Sequence, residues 1–231
     1  MEYLLHPSAF SDAPSRCLPR ERVRRILNVL VALIGIVLTI PVMILLAILV
    51  KLDSPGPVLF TQPRVGIDRR SGPATERDLA RRRFDAGGRL FRIYKFRTMT
   101  VSEANPTERW ASPEDPRITR LGRILRLTRL DELPQLFNVL RGEMNVVGPR
   151  PEQPTIFVEL RDELSGYSRR QSVLPGITGL AQVNNGYDQS LDDVRRKLAY
   201  DLDYISARST TTDLGIMLRT FPVMVLKIGA I

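Results

Sequence analysis

The sequence predicts an α/β fold, mainly helical, in a monotopic membrane protein: an N-terminal re-entrant helix followed by a small cytoplasmic domain with amphipathic interface helices. Three observations predict it. From Ile26 to Val50 the chain carries no charged residue, a stretch longer than the roughly 20 residues that a bilayer crossing requires. Arg20, Arg22, Arg24 and Arg25 precede this run, and Lys51 with a strongly basic remainder follows it, so the positive-inside rule places both ends in the cytoplasm. Beyond the run, helix-period stretches outnumber two short β-prone ones. The expected division is a flexible tail over residues 1–21, a membrane helix over 22–51 and a cytoplasmic domain over 52–231.

The apolar run is too long for a signal-peptide core, and no small-residue cleavage site follows it. Pro41 supplies a bend, because it has no N–H to offer the Val37 carbonyl and its ring clashes with the preceding turn. A helix that enters, bends near Ile40-Pro41 and returns to the same face satisfies the length and charge signals together. A helix spanning through the proline and a buried core helix are the alternatives.

After the anchor, Pro55, Gly56 and Pro57 fix a tight turn ahead of a β-prone run from Val58 to Thr61. Residues 68–89 are basic and read as a surface excursion. "LFRIYKFRTM" alternates enough for a strand, with Arg92, Lys95 and Arg97 interleaved with aromatics. From Ile118, the residues Ile118, Leu121, Leu125 and Leu127 or Thr128 recur near helical spacing, with Arg120, Arg123, Arg126 and Arg129 opposite. Such a basic amphipathic helix fits a membrane surface as well as it fits nucleic acid. "DELPQLFNVLRG" begins another helix, with Pro134 as its first helical residue and Gly142 as its terminator. "NVVGPRPEQP" reads as a rigid loop presenting Arg150, and "PGITGLAQVNNG" as another presenting Thr178, Gln182 and Asn184. Leu191 to Ile205 is a helix carrying Asp201. The apolar tail after Asp213, interrupted by Pro222, suits an interface-lying segment better than a second span.

A chain of 231 residues holds one domain with a real core plus an attachment device. Cys17 is the only cysteine and His6 the only histidine. That excludes an internal disulfide, the usual Cys/His zinc sites, Cys-His dyads and Ser-His-Asp triads. Catalysis falls to carboxylates, Lys or Arg, Tyr or a hard cation. The formal net charge of +9 calls for an anionic partner: nucleic acid, an acidic membrane surface or phosphorylated small molecules.

Asp131 and Glu132 stand between the arginine-rich helix and Pro134, at the approach to a helix N-terminus, where the dipole and free N–H groups favour ionised carboxylates. This suits a nucleophile or cation ligands; simple capping is the alternative. Ionised carboxylates beside arginines, with no histidine base, fit phosphoryl chemistry. Mg²⁺ sits on carboxylates, arginines grip phosphate oxygens, and a carboxylate attacks phosphorus without needing a general base.

The stretches "DSPGPVLFTQPRVG", "FRIYKFRTM", "DPRITRLGRILRLTRLDELPQLFNVLRGEMNVVGPRP" and "PGITGLAQVN", with a weaker match in "KLAYDLDYI", resemble the bacterial sugar transferases. These are monotopic polyprenyl-phosphate phosphoglycosyl transferases, or undecaprenyl-phosphate sugar phosphotransferases, which start the assembly of bacterial glycans. With the anchor, the resemblance covers nearly everything from residue 22 onward. It implies transfer of a sugar 1-phosphate from a UDP-sugar to polyprenyl (undecaprenyl) phosphate, with release of UMP, through a covalent aspartyl phospho-sugar intermediate. The implied location is the cytoplasmic face of the bacterial inner membrane. Carried over by position, Asp131 matches the nucleophile, and Glu132 the neighbouring carboxylate that helps bind Mg²⁺. Arg126 and Arg150 match family arginines near phosphate or nucleotide, and Lys95, Arg97, Asp201 and Gln182 are further substrate-binding candidates. The implied partners are the UDP-sugar donor, the polyprenyl phosphate acceptor and inner-membrane lipids, with no nucleic acid. Dimeric family members make a second copy of the chain a candidate partner as well.

Three features depart from the family pattern. The family breaks its re-entrant helix at a Ser-Pro pair, where this chain has Ile40-Pro41, with Thr39 one residue away. The family joins "RVG" to the "LFRIYKFRTM" strand through a few residues, where this chain has the 68–89 excursion. Larger members carry extra membrane spans and a nucleotide-fold domain ahead of this unit, so the chain resembles a minimal catalytic form. Two other readings compete with catalysis. A membrane-tethered module binding nucleic acid or anionic lipid explains the charge but not two carboxylates among the arginines. A scaffold explains the pair as helix caps alone.

Overall fold

The structure, a computed structural model, describes residues 19–68, 87–100, 115–184 and 190–225. Helix α1 (Pro19–Asp53) begins inside the expected tail and ends two residues past the expected anchor. Pro19 suits a first turn, where its missing N–H would have no partner anyway, and Glu21 in that turn complements the helix dipole. The helix is continuous through Pro41, and Thr39 Oγ1 donates to the Gly35 carbonyl at 2.7 Å in the turn before it. Glu21–Asp53, with a mean hydropathy of 3.1 over its most apolar window, is long and apolar enough to cross a membrane.

Strands β1 (Leu59–Val65) and β2 (Leu90–Phe96) form an antiparallel hairpin, with Leu59 opposite Phe96 and Val65 opposite Leu90. β1 runs past the expected Thr61 because it is an edge strand among the described residues: Pro63, opposite Arg92, forfeits no inner ladder bond there. Residues 69–86, most of the predicted excursion, lie outside the described residues. β2 stops at Phe96, after which the Thr98 carbonyl accepts from Thr119 N at 3.1 Å.

Thr119 caps helix α2 (Arg120–Thr128), its Oγ1 accepting from Gly122 N at 2.9 Å, so the helix starts two residues after Ile118. A Cβ on Gly122 would lie 2.0 Å from the Thr98 carbonyl oxygen, and that close approach fixes α2 on the end of the hairpin. A 3₁₀ turn (Leu130–Glu132) leads to helix α3 (Gln135–Arg141), with Pro134 in the cap position rather than the first helical one. Gly142 ends α3 in the left-handed region, at φ 77°. Strands β3 (Asn145–Val147) and β4 (Gly176–Thr178) pair in parallel. Helix α4 (Pro154–Glu163) and a 3₁₀ segment (Tyr167–Ser172) connect them. Helices α5 (Leu180–Asn184), α6 (Leu191–Ser206) and α7 (Thr210–Val225) follow, α6 entered through a reciprocal Ser190/Asp193 capping box and α7 continuous through Pro222. The result is an α/β fold, mainly helical, with two separate two-stranded sheets.

Both limbs of α1 pack on this domain. Ala32 joins Phe91, Ile93, Val139 and Met144 in one apolar cluster, and Leu46 and Val50 join Phe96 and Leu125 in another. Polar clamps reinforce each limb. Arg24 Nη2 donates to Asp213 Oδ2 at 2.7 Å and to the Tyr204 hydroxyl at 2.8 Å. Arg25 Nη2 donates to the Val139 and Leu140 carbonyls at 2.6 and 3.1 Å, placing a cation at the negative dipole end of α3. At the far limb, Arg97 donates to the carbonyls of Val50, Ser54 and Pro55 at 3.1, 2.6 and 2.6 Å. A cation there meets the open acceptors and the negative dipole end of α1 together.

Candidate active site

Asp131 and Glu132 occupy the 3₁₀ turn between α2 and α3, and each is only 6% exposed. The flanking Leu130 and Leu133 pack into the cluster that holds Leu46 and Val50 of α1. The carboxylates therefore sit one residue away from side chains seated on the anchor helix. Lys95 shares a β2 face with Phe91 and Ile93, since strand side chains alternate. Its Nζ lies 2.8 Å from Glu132 Oε1 and 3.7 Å from Asp131 Oδ2. Arg150 Nη2 approaches the same Glu132 Oε1 at 2.7 Å.

These contacts correct the expectation that a helix N-terminus holds both carboxylates ionised. Burial pushes the Asp131 carboxyl up from its ordinary value, with Lys95 pulling against that and Glu132 adding to it. Burial pushes Glu132 the same way, but Arg150 and Lys95 together outweigh it and hold Glu132 well below the carboxylate range. Burial and neighbouring side-chain charges govern the pair, and α3 begins only at Gln135.

Arg150 is presented by a crossing of β3 and β4 that only glycine permits. A Cβ on Gly176 would fall 2.1 Å from Gly148 N, and one on Gly148 would fall 2.5 Å from the Leu174 carbonyl oxygen. Behind the loop, the Arg150 carbonyl accepts from Arg170 Nη2 at 2.9 Å. Arg170 also donates to Asp201 Oδ2 at 2.7 Å and to the Tyr167 hydroxyl at 2.7 Å. Glu152 takes Lys197 at 2.8 Å and Arg170 at 3.5 Å. Burial raises Asp201, with Arg170 opposing it. Burial would raise Glu152 too, but Lys197 and Arg170 outweigh it and bring the carboxyl down to about 2.

Of the sequence-predicted residues, the structure brings Lys95, Arg150 and Arg126 to the carboxylate pair. Arg126 donates through Nε to Thr98 Oγ1 at 3.0 Å, and its charge reaches Asp131. The structure places three others in contacts with protein groups away from the pair. Arg97 is buried and committed to the carbonyls at the end of α1. Asp201 is buried against Arg170, and Gln182 Nε2 donates to the Ile177 carbonyl at 2.9 Å.

Among the described residues, no group of three or more acids, His or Cys is placed to hold a metal. Mg²⁺ usually takes one or two carboxylates and completes its shell with water and substrate phosphates. Two adjacent hard oxygen donors fit that mode, and do not fit an ion caged by protein alone.

The sequence model described as bacterial sugar transferase matches residues 19–227. The chain belongs to the bacterial sugar transferase family. It is 40% identical over 208 residues to the UDP-N-acetylgalactosamine-undecaprenyl-phosphate N-acetylgalactosaminephosphotransferase of Aeromonas hydrophila, a match covering 90% of this chain and 45% of that protein. It is 40% identical over 214 residues to the UDP-glucose:undecaprenyl-phosphate glucose-1-phosphate transferase of Caulobacter vibrioides, covering 90% and 73%. The protein of the same name from Escherichia coli is 37% identical over 208 residues, covering 87% and 41%. The chain thus spans less than half the length of two of these relatives.

Sequence reasoning missed several residues that build this sugar transferase site. Arg170 and Glu152 sit in segments with no helical or strand period, Lys197 is one cation on a helix with several charges, and only their meeting in space reveals them. Asn138, buried in α3, donates to the Arg92 carbonyl at 2.7 Å and accepts from Tyr94 N at 3.1 Å, pinning α3 to β2 on either side of Ile93, just ahead of Lys95. Helical spacing sets Arg129 opposite the apolar face of α2, whereas in the structure it is the left-handed C-cap of that helix, and the charges of Arg150, Glu132 and Asp131 act on it.

Proposed function

We propose that this chain transfers a sugar 1-phosphate from a UDP-sugar to membrane polyprenyl phosphate, releasing UMP. The observation that carries the reading is the buried Asp131–Glu132 pair, held by Lys95 and Arg150 and flanked by Leu130 and Leu133, which pack with Leu46 and Val50 of the anchor helix. A polyprenyl chain cannot leave the bilayer, so carboxylates one residue from the anchor suit an acceptor confined to the headgroup layer. Relatives named for undecaprenyl-phosphate phosphotransfer support the same reading.

In the first step an Asp131 carboxylate oxygen attacks the phosphorus that carries the sugar. The new P–O bond forms as the bond to UMP breaks, and UMP leaves with the electron pair. In the second step a phosphate oxygen of the acceptor attacks the same phosphorus, forming a polyprenyl diphosphate sugar and freeing Asp131. Lys95, Arg126 and Arg150 favour the ionised form of Asp131 against its burial and are placed to take the phosphate oxygens. Glu132, with Asp131 beside it, would hold Mg²⁺ together with substrate phosphate, and the ion would supply charge neutralisation and polarisation at phosphorus.

The anchor is proposed to be re-entrant, with both ends on the cytoplasmic face of the inner membrane. One domain grips both limbs, at Arg24 to Ala32 and again at Leu46 to Ser54. Between Ile36 and Leu46 no side chain of the helix is buried, and exposed apolar side chains continue on both sides of that stretch, from Ile26 and Ile34 to Ile44 and Ile48, giving lipid an apolar surface that includes Pro41.

The test is UMP release by the purified chain in nanodiscs with polyprenyl phosphate and a panel of UDP-sugars. Relatives named for N-acetylgalactosamine and for glucose are equally identical at 40%, so both donors belong in the panel. Acceptor-dependent UMP release with one donor is expected; none with any donor would refute the reading.

A further inference from the structure

We infer that Phe60 is an acceptor-binding residue of this site, packing on the hydrocarbon next to the phosphate of membrane polyprenyl phosphate. The inference deepens the transfer reaction proposed above and rests on it. It starts from strand register. Phe60 of β1 stands directly opposite Lys95 of β2, and residues paired in this way share a sheet face, with Cβ atoms about 5 Å apart. Farther back on that face Phe91 and Ile93 enter the core. At its end the Lys95 ammonium lies 2.8 Å from Glu132 Oε1 and 3.7 Å from Asp131 Oδ2. Phe60 therefore flanks a lysine whose head belongs to the carboxylate pair, yet it is 45% exposed.

Folding does not call for a phenylalanine there. β1 is an edge strand among the described residues, and a half-exposed aromatic on an edge invites unwanted association. Its position beside the anchor says what it meets. Two residues earlier, Val58 packs with Leu46 and Val50 of α1, and its carbonyl accepts from Arg97 N at 2.9 Å. Arg97 Nη2 in turn holds the Val50 and Ser54 carbonyls. This short chain of contacts sets Phe60 beside the end of α1, where Leu52 is 78% exposed.

Farther along the same face of β1 the row turns polar. Arg64 donates to Gln62 Oε1 at 2.7 Å and to the Pro151 carbonyl, next to Arg150, at 3.2 Å. The site thus has a charged centre, a polar side toward the Arg150 loop and an apolar side toward the anchor. A phosphate carrying hydrocarbon on one side matches that order. A UDP-sugar, polar on both sides of its pyrophosphate, has no use for the apolar side.

The test uses Phe60→Ser and Phe60→Leu in the full chain in nanodiscs, with steady-state UMP release measured as each substrate is varied in turn. The serine variant should lose roughly three- to tenfold in kcat/KM for polyprenyl phosphate, the scale of half the burial of a phenylalanine side chain. Leucine, which still packs on isoprene units, should restore most of it. In both variants kcat/KM for UDP-sugar should stay within twofold of wild type. A ring that only steadies the Lys95 side chain would lower kcat/KM for both substrates together. A ring stacked on uracil would lower it for UDP-sugar alone, without rescue by leucine. Either result would overturn the inference, as would an unchanged kcat/KM for polyprenyl phosphate in the serine variant, and all three leave the proposed function standing. Absence of turnover by wild type itself would remove both.

Discussion

Asp201→Asn distinguishes a residue that touches substrate from one that holds the site in place. The Asp201 and Arg170 side chains are 2% and 1% exposed, and Arg170 Nε lies 2.7 Å from Asp201 Oδ2. Removing one charge of a buried pair costs about 3–5 kcal/mol, because the other is left uncompensated. Asparagine keeps the acceptor oxygen and the volume, and Glu152 lies 3.5 Å from Arg170 Nη1 to share its charge. The cost should therefore fall at the lower end, about 3 kcal/mol. For a chain of this size that lowers the melting temperature by roughly 6–12 °C. Thermal unfolding in nanodiscs reads the shift, and turnover is measured well below both transitions. The structure predicts a lowered melting temperature with turnover largely retained in the cold. An unchanged melting temperature with turnover abolished would refute this reasoning and put Asp201 on the substrate.

The acid limb of stability should carry a contribution from Glu152. Its folded carboxyl lies at about 2 against an ordinary 4.5, so its contribution is complete above about pH 4.5 and is lost as pH falls toward 2, at most about 3 kcal/mol. Circular dichroism of wild type and Glu152→Gln across that window should show a shallower loss of stability in the variant than in wild type. Gly176→Ala sets a Cβ 2.1 Å from Gly148 N, backbone against backbone, and should cost about 1–3 kcal/mol or more while displacing the Arg150 loop. Unfolding and KM measurements on this variant that match wild type would contradict the crossing. With Cys17 replaced, single cysteines ahead of α1 and after it should both resist an impermeant reagent from the periplasm; labelling of the first one there would rule out a re-entrant helix.

The sequence made the anchor legible because length and charge alone define it, and the carboxylate pair because no histidine or usable cysteine competes with it. What it hid depends on distance or direction. β3 and β4 are three residues each, too short for a period of two to register, yet their glycine crossing aims Arg150 at Glu132. Arg97 stands in a basic and aromatic strand pattern that reads equally well whether the guanidinium meets a substrate or, as here, the carbonyls closing α1. Asp201 reads as one acid on a helix until Arg170, 31 residues earlier, is seen to bind it. Helical spacing carries through Arg129, although the chain leaves the helix there in the left-handed region.

The central claim is that Asp131 carries the phospho-sugar between donor and acceptor. Peptide mass spectrometry of the protein in nanodiscs, incubated with its UDP-sugar and no acceptor, tests it most directly. A phospho-sugar adduct on the peptide containing Asp131 is predicted, with at most one equivalent of UMP released and neither signal in Asp131→Asn. A preparation that turns over with acceptor yet shows no adduct, or carries the adduct on another residue, would contradict it.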